Sequence, residues 1–185
     1  MARPREFDTA QAIEGAMEIF WRQGFKATNL PELLDAMGLT RGSFYKAFDD
    51  KESVYLQALD RYDATVVSRT VAMLAACTDP QASACLEPMF APSPTPERGC
   101  FICNAMVELA PDKPDVAAKA NAMAERLKEG IVGVLETRGL GRSPDHRSEL
   151  GDVVLHLYFG HQAMGKSAVG HKDWRTRLRR ILGEE

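Results

Sequence analysis

The chain has no apolar run approaching the ~18 residues of a membrane-spanning helix. Its first residues, Met1-Ala2-Arg3-Pro4-Arg5-Glu6, lack the apolar stretch of an export signal. Both absences predict a soluble, cytoplasmic protein without a membrane partner. Cysteine is sparse, four in 185 residues, and without an export signal such cysteines read as reduced thiols rather than a disulfide framework. His156 and His161 are five apart, off the four-residue spacing that sets two ligands on one helix face, so no metal is expected. No phosphate loop, Ser-His-Asp ordering or carboxylate pair stands out, which predicts neither a cofactor nor an enzyme. Repeats of solenoid period are absent as well. Positive charge is also short: the whole chain is net −3, and residues 1–66 hold eight Lys/Arg against eleven Asp/Glu. A nucleic-acid module ordinarily carries a basic surface, so binding of that kind must rest on a small local patch.

What is present is a pattern at residues 29–48. Asn29 begins a capping box with Glu32, Pro31 suits a first helical turn, and Leu30, Leu33, Leu34 and Met37 recur at helical spacing. Gly38 permits the left-handed stop, Leu39 plugs the corner, and Thr40 can cap a second short helix. Phe44 and Phe48, four apart, anchor that helix inward. Thr40, Arg41, Ser43, Tyr45 and Lys46 are then left outward, with no acid between Gly38 and Phe48. This is the layout of a helix-turn-helix, whose second helix offers its polar N-terminal residues to a DNA groove. Upstream, Asp8 and Gln11 start another helix with the stripe Ile13, Ala16, Met17 and Phe20, ending at Gly24. Asp50-Lys51-Glu52-Ser53 opens a fourth helix.

Ala16-Met17-Glu18-Ile19-Phe20, Gly24-Phe25, Thr28, Ala36 to Tyr45 and Phe48-Asp49-Asp50-Lys51-Glu52 together resemble the N-terminal signature of TetR/AcrR-type regulators. The resemblance covers about residues 6–66 and departs at Ala47, where the family often has a larger aromatic or His. It implies an all-α homodimer with a three-helix DNA-binding head at 6–66, its helix-turn-helix at 29–48, and a helical ligand-binding and dimerisation body at 67–185. It also implies one-component sensing, usually by a repressor that a small-molecule effector releases from double-stranded operator DNA.

Each head residue has an expected task. Amides near Asn29 and Thr40 suit phosphates, and the Thr28 and Thr40 hydroxyls can add hydrogen bonds. Tyr45 and Lys46 sit where the family contacts the DNA backbone, and Lys51 can join them. Arg3 and Arg5 can reach phosphates as an arm. Arg41 suits base readout because a guanidinium pairs bidentately with guanine. Gly42 allows close approach, and Ser43 can meet base or phosphate.

In the body, one long helix is expected over residues 51–77 and a shorter one around 81–90. Prolines 92, 94 and 96 interrupt the chain, and helices follow at 99–110 and 115–138. Leu150, Val153, Val154, Leu157, His161 and Met164 line one side of a later helix, and Trp174, Leu178, Ile181 and Leu182 line a last one capped by Asp173. Two such helices from each subunit can build a four-helix dimer bundle; closing the monomer's own core is the alternative. Met89, Phe90, Phe101, Met106, Met123, Phe159 and Met164, with Asn104, Glu108 and His156, are candidates for an effector pocket or plain core. Cys100 and Cys103 share a helix face and are candidates for a thiol sensor. Competing readings are an activator or dual regulator with the same head, a thiol oxidoreductase built on these two cysteines, and a protein-binding helical adaptor.

Overall fold

A computed structural model describes residues 7–91, 95–165 and 173–184, and every regular element among them is helical. The arm carrying Arg3 and Arg5 and prolines 92 and 94 lie outside these residues.

Capping chemistry sets the first helices. α1 (Thr9–Gln23) starts at Asp8, whose Oδ1 accepts from the Ala10 and Gln11 amides at 2.9 and 3.2 Å, and stops at Gly24 with φ +85°. α2 (Leu30–Met37) carries the complete Asn29–Glu32 capping box and ends at left-handed Gly38. Thr40 caps α3 (Arg41–Ala47), and Asp50 with Ser53 forms a second capping box for α4 (Lys51–Tyr62). α1 buries Ala12, Ile13, Ala16, Met17, Ile19 and Phe20 against α2 and α4. At Gly15 the α1–α2 crossing is so close that a Cβ would sit 1.9 Å from the Ala36 carbonyl oxygen.

α4 continues through a π-helical stretch, Asp63–Val67, into α5 (Ser68–Ala76), forming one rod. The Ser68 amide donates to Asp63 O, five residues back. Arg126 braces this widened turn from the facing helix by pairing with Asp63 and donating to Ser68 Oγ at 3.1 Å. Beyond it lie α6 (Ala82–Leu86), a 3₁₀ turn to Phe90, α7 (Phe101–Glu108), α8 (Pro114–Thr137), α9 (Pro144–Gly165) and α10 (Trp174–Leu182). Asp173 caps α10, and α8 packs against α4, α5, α6, α7 and α9.

One correction concerns cysteine. Cys77 and Cys85, expected as reduced thiols, are bonded to each other across the turn between α5 and α6. Composition alone does not see that this turn returns the chain so quickly that the Cα atoms come within 5.7 Å.

Candidate nucleic-acid interface

Two local choices shape the outward edge of α3. Thr40 is extended, and its Oγ1 accepts from the Ser43 amide at 3.2 Å. Phe44 turns fully inward, at 0% exposure. With ~100° between successive side chains, Arg41, Gly42, Tyr45 and Lys46 must then face outward, and all four are exposed. The Arg41 guanidinium lies 5.9 Å from the centre of the Tyr45 ring, which stands edge-on to Phe44 at 5.2 Å. Among the described residues nothing lies within 4 Å of where a Gly42 Cβ would be, so the edge is flat there. The Thr40 and Ser43 hydroxyls are 3.0 Å apart. One donates to the other, leaving a single O–H for an outside acceptor.

Three expectations for the head are corrected. Thr28 is completely buried, and its hydroxyl donates to Gly24 O at 2.6 Å, so it cannot reach a phosphate. Lys51 turns back over the Phe25 ring, and its Nζ donates to Phe25 O at 2.5 Å. Desolvation there lowers its pKa, with Glu108 pulling the other way. At the start of α2, Asn29 is exposed but committed to its cap, and the Glu32 carboxylate accepts from its amide at 3.3 Å. An acid thus already covers the helix start read as a phosphate seat.

Glu108 and Asn104, expected as polar anchors of a pocket, fasten the head instead. Glu108 accepts from the Phe25 and Lys26 amides at 2.9 and 2.6 Å. Asn104 Nδ2 donates to Arg98 O at 3.0 Å and lies 3.4 Å from Trp21 O. Trp21 Nε1 donates to Gly99 O at 2.9 Å, and Arg98 pairs with Glu18. Phe101 is equally far from a pocket role: it packs edge-on against Tyr55 and Tyr62 at 5.5 Å, joining the cores of head and body. No local sequence signal marks Trp21 and Arg98, whose partners lie about eighty positions away.

A cleft of about 840 Å³ lies between α5 and α8, lined by Val71, Leu74, Gly130, Val134, Arg126 and Arg138 among others. None of the expected pocket residues lines it. Met89, Phe90 and Met123 are core, Phe90 stacking on Trp174 at 4.4 Å, while Met106 and Phe159 pack on the core's margin. His156 is exposed and bonded through Nδ1 to Asp152 O at 2.7 Å. Cys100 stands just before α7 without a capping side-chain bond and is buried; a hydrogen bond from Cys103 lowers its pKa despite desolvation. A thiol so placed offers an outside oxidant no direct approach.

The expected dimer stripe divides. Val154, Leu178 and Leu182 are buried within the monomer and close its own core. Leu150, Leu157 and Trp174 pack partly against that core, and His161 lies 5.2 Å from the Trp174 ring. Val153, Met164 and Ile181 remain 45, 48 and 41% exposed. On α9, Val153, His156, Gly160, Ala163 and Met164 form one exposed strip.

Residues 12–58 match the model described as bacterial regulatory proteins, tetR family. Among curated proteins, the chain is 32% identical over 146 residues to the HTH-type transcriptional repressor ComR of Escherichia coli strain K12, covering 74% of this chain and 69% of ComR. Over 76 residues it is 30% identical to the HTH-type transcriptional activator FasR of Mycolicibacterium smegmatis, covering 41% of this chain and 35% of FasR. Among solved structures, it resembles a cysteine mutant of the TetR-family regulator CifR complexed with 26-bp double-strand operator DNA. That match has a TM-score of 0.81 at 24% identity, covering 98% of this chain and 99% of the other.

Proposed function

The chain belongs to the TetR family of bacterial transcription regulators, and on that premise we propose that it is a homodimeric repressor of a palindromic operator, released by a small-molecule effector. The observation that carries this reading is the acid-free edge of α3, with Arg41, Gly42, Tyr45 and Lys46 exposed above a fully buried Phe44. Arg41 reads a base. Tyr45, Lys46 and the Thr40–Ser43 hydroxyl pair hold phosphates, and Asn29 sets the pose of α2 beneath them. The head is residues 6–66 and the body 67–185, which acts in the cytoplasm where the DNA is. ComR, a named repressor that the chain matches over most of its length, supports repression.

The exposed α9 strip with Ile181 supports a four-helix interface between two copies, since Gly160 and Ala163 permit close helix approach. Two heads then meet successive major grooves roughly 34–36 Å apart. The α5–α8 cleft is the effector site. An occupant there touches the helix whose Arg126 braces the π-helical turn of the rod bearing the head. Release follows if the effector prefers the conformer with wrongly spaced heads.

Gel shift on the DNA flanking the protein's own gene tests this, with size-exclusion light scattering alongside. A sequence-specific complex of two chains per site is expected. Tight operator binding by a strictly monomeric species would sink the dimer reading. The activator reading is supported by the FasR match, which covers only part of the chain. Transcription in vitro separates the two, falling with added protein for a repressor and rising for an activator.

A further inference from the structure

We infer that Cys77 and Cys85 form a thiol–disulfide exchange site, in which Cys77 is the sulfur that trades with a low-molecular-weight thiol and Cys85 is the leaving thiolate. This goes beyond the proposed function and holds whichever effector the cleft takes.

The two sulfurs are unequal in access and in surroundings. Cys77 is partly exposed and lines the α5–α8 cleft, so a small thiol can reach it from solvent. Cys85 is 2% exposed, out of reach on α6. Above it lies Arg138, whose Nη2 is 2.9 Å from Cys85 Sγ. The same guanidinium donates to Cys77 O at 2.8 Å, Asp79 O at 3.1 Å, Val134 O at 3.3 Å and Thr137 Oγ1 at 2.5 Å. These acceptors are neutral. Among the described residues no carboxylate pairs with Arg138, and the Asp79 carboxylate accepts from the Gln81 amide instead. Among the described residues this half-buried cation therefore has no ion-paired carboxylate while the disulfide is intact, and a Cys85 thiolate supplies a negative charge beside it. An adjacent Arg lowers a thiol's pKa, and a lower pKa speeds departure from a disulfide.

In the reductive direction a thiolate attacks Cys77 Sγ, a new S–S bond forms there, and the Cys77–Cys85 bond breaks with its electron pair on Cys85. A second thiolate then attacks the mixed disulfide, freeing Cys77 and giving the small molecule's own disulfide. Two small thiols are oxidised and one protein disulfide is reduced. The oxidative direction is the reverse: Cys77 thiolate takes one half of a small disulfide, and Cys85 thiolate displaces it. The exchange opens or closes the turn that borders the cleft.

The test uses the full-length folded protein with glutathione and glutathione disulfide, acid quenching, alkylation and peptide mass mapping. The transient mixed disulfide is expected on Cys77. With glutathione disulfide, Cys85→Ser is expected to hold an adduct at Cys77, and Cys77→Ser to give none at Cys85. Arg138→Gln should slow reduction by about tenfold or more, and Arg138→Lys should recover much of that rate. Adducts on Cys85, unchanged rates in Arg138→Gln, or reduction no faster than global unfolding each overturn the assignment. Should Arg138→Gln fail to fold, the adduct positions in the two serine variants decide alone.

Discussion

Replacing Glu108 with Ala should loosen the head from the body without touching any residue of the α3 edge. Its carboxylate accepts two backbone amides, Phe25 N at 2.9 Å and Lys26 N at 2.6 Å, more than eighty positions away in the chain. A hydrogen bond to a charged group is worth about 1.5–3 kcal/mol net. The Lys26 bond is exposed, and water re-solvates that amide when the acid is removed, so the two do not contribute in full. Removal also strips Lys51 of the negative charge that opposes its desolvation. We therefore expect a loss of about 2–3 kcal/mol, or roughly 4–12 °C in Tm for a chain of this size. Differential scanning calorimetry measures that loss, and operator affinity with and without effector reads the link between head and body. Under the proposed effector mechanism, basal operator binding should fall little, whereas release by effector should weaken, because Glu108 ties α7 to the turn between α1 and α2. A melting temperature within about 1 °C of wild type, with full effector response, would refute the idea that these bonds fasten one part to the other.

Arg41→Ala should cost about 1–3 kcal/mol of operator affinity and relax preference at one base pair; an equal loss on every sequence, read by gel shift against operator variants, would demote Arg41 to a phosphate contact. Gly15→Ala places a methyl 1.9 Å from a backbone oxygen that cannot rotate away, so α1 and α2 must separate at about 1–3 kcal/mol, with operator binding lost before helicity by circular dichroism. Burial raises the pKa of Tyr55, Tyr62 and Tyr158 above the ordinary 10.0. The folded state then holds protons that the unfolded state releases, so the stability these phenols contribute is complete below pH 10 and drains as pH climbs beyond it. Tyrosinate absorbance should therefore rise in step with unfolding, and full ionisation of a folded protein at pH 11 would contradict the burial.

The head was legible because its signals are local. Asp8, Asn29, Thr40 and Asp50 are caps whose partners lie within three residues, and each forms the hydrogen bond its spacing foretells. The same locality misled at Thr28 and Lys51, since a hydroxyl or ammonium near a helix start looks available until the tertiary fold claims it. Body helices were found from their proline and glycine stops, yet their partners were not. Val154, Leu178 and Leu182 share an apolar stripe with Val153 and Ile181, and periodicity cannot say which side of a two-sided helix meets another chain. Glu108 looked like a pocket anchor for the same reason: a lone acid on an apolar helix carries no mark of the amides it will meet. Cys77 and Cys85 did carry a signal in their spacing around Thr78-Asp79-Pro80, and the overall scarcity of cysteine obscured it.

The widened turn at Asp63–Val67 gives the rod a tolerance for length that ordinary helix lacks. Deleting one residue from an α-helix swings everything beyond the cut by about 100°, which here would turn the face of α5 away from α8. Excising one residue within the π-helical stretch instead restores regular winding and keeps both flanks in phase. Single-residue deletions across positions 55–75 should therefore be survivable in a narrow window centred on that turn and ruinous on either side.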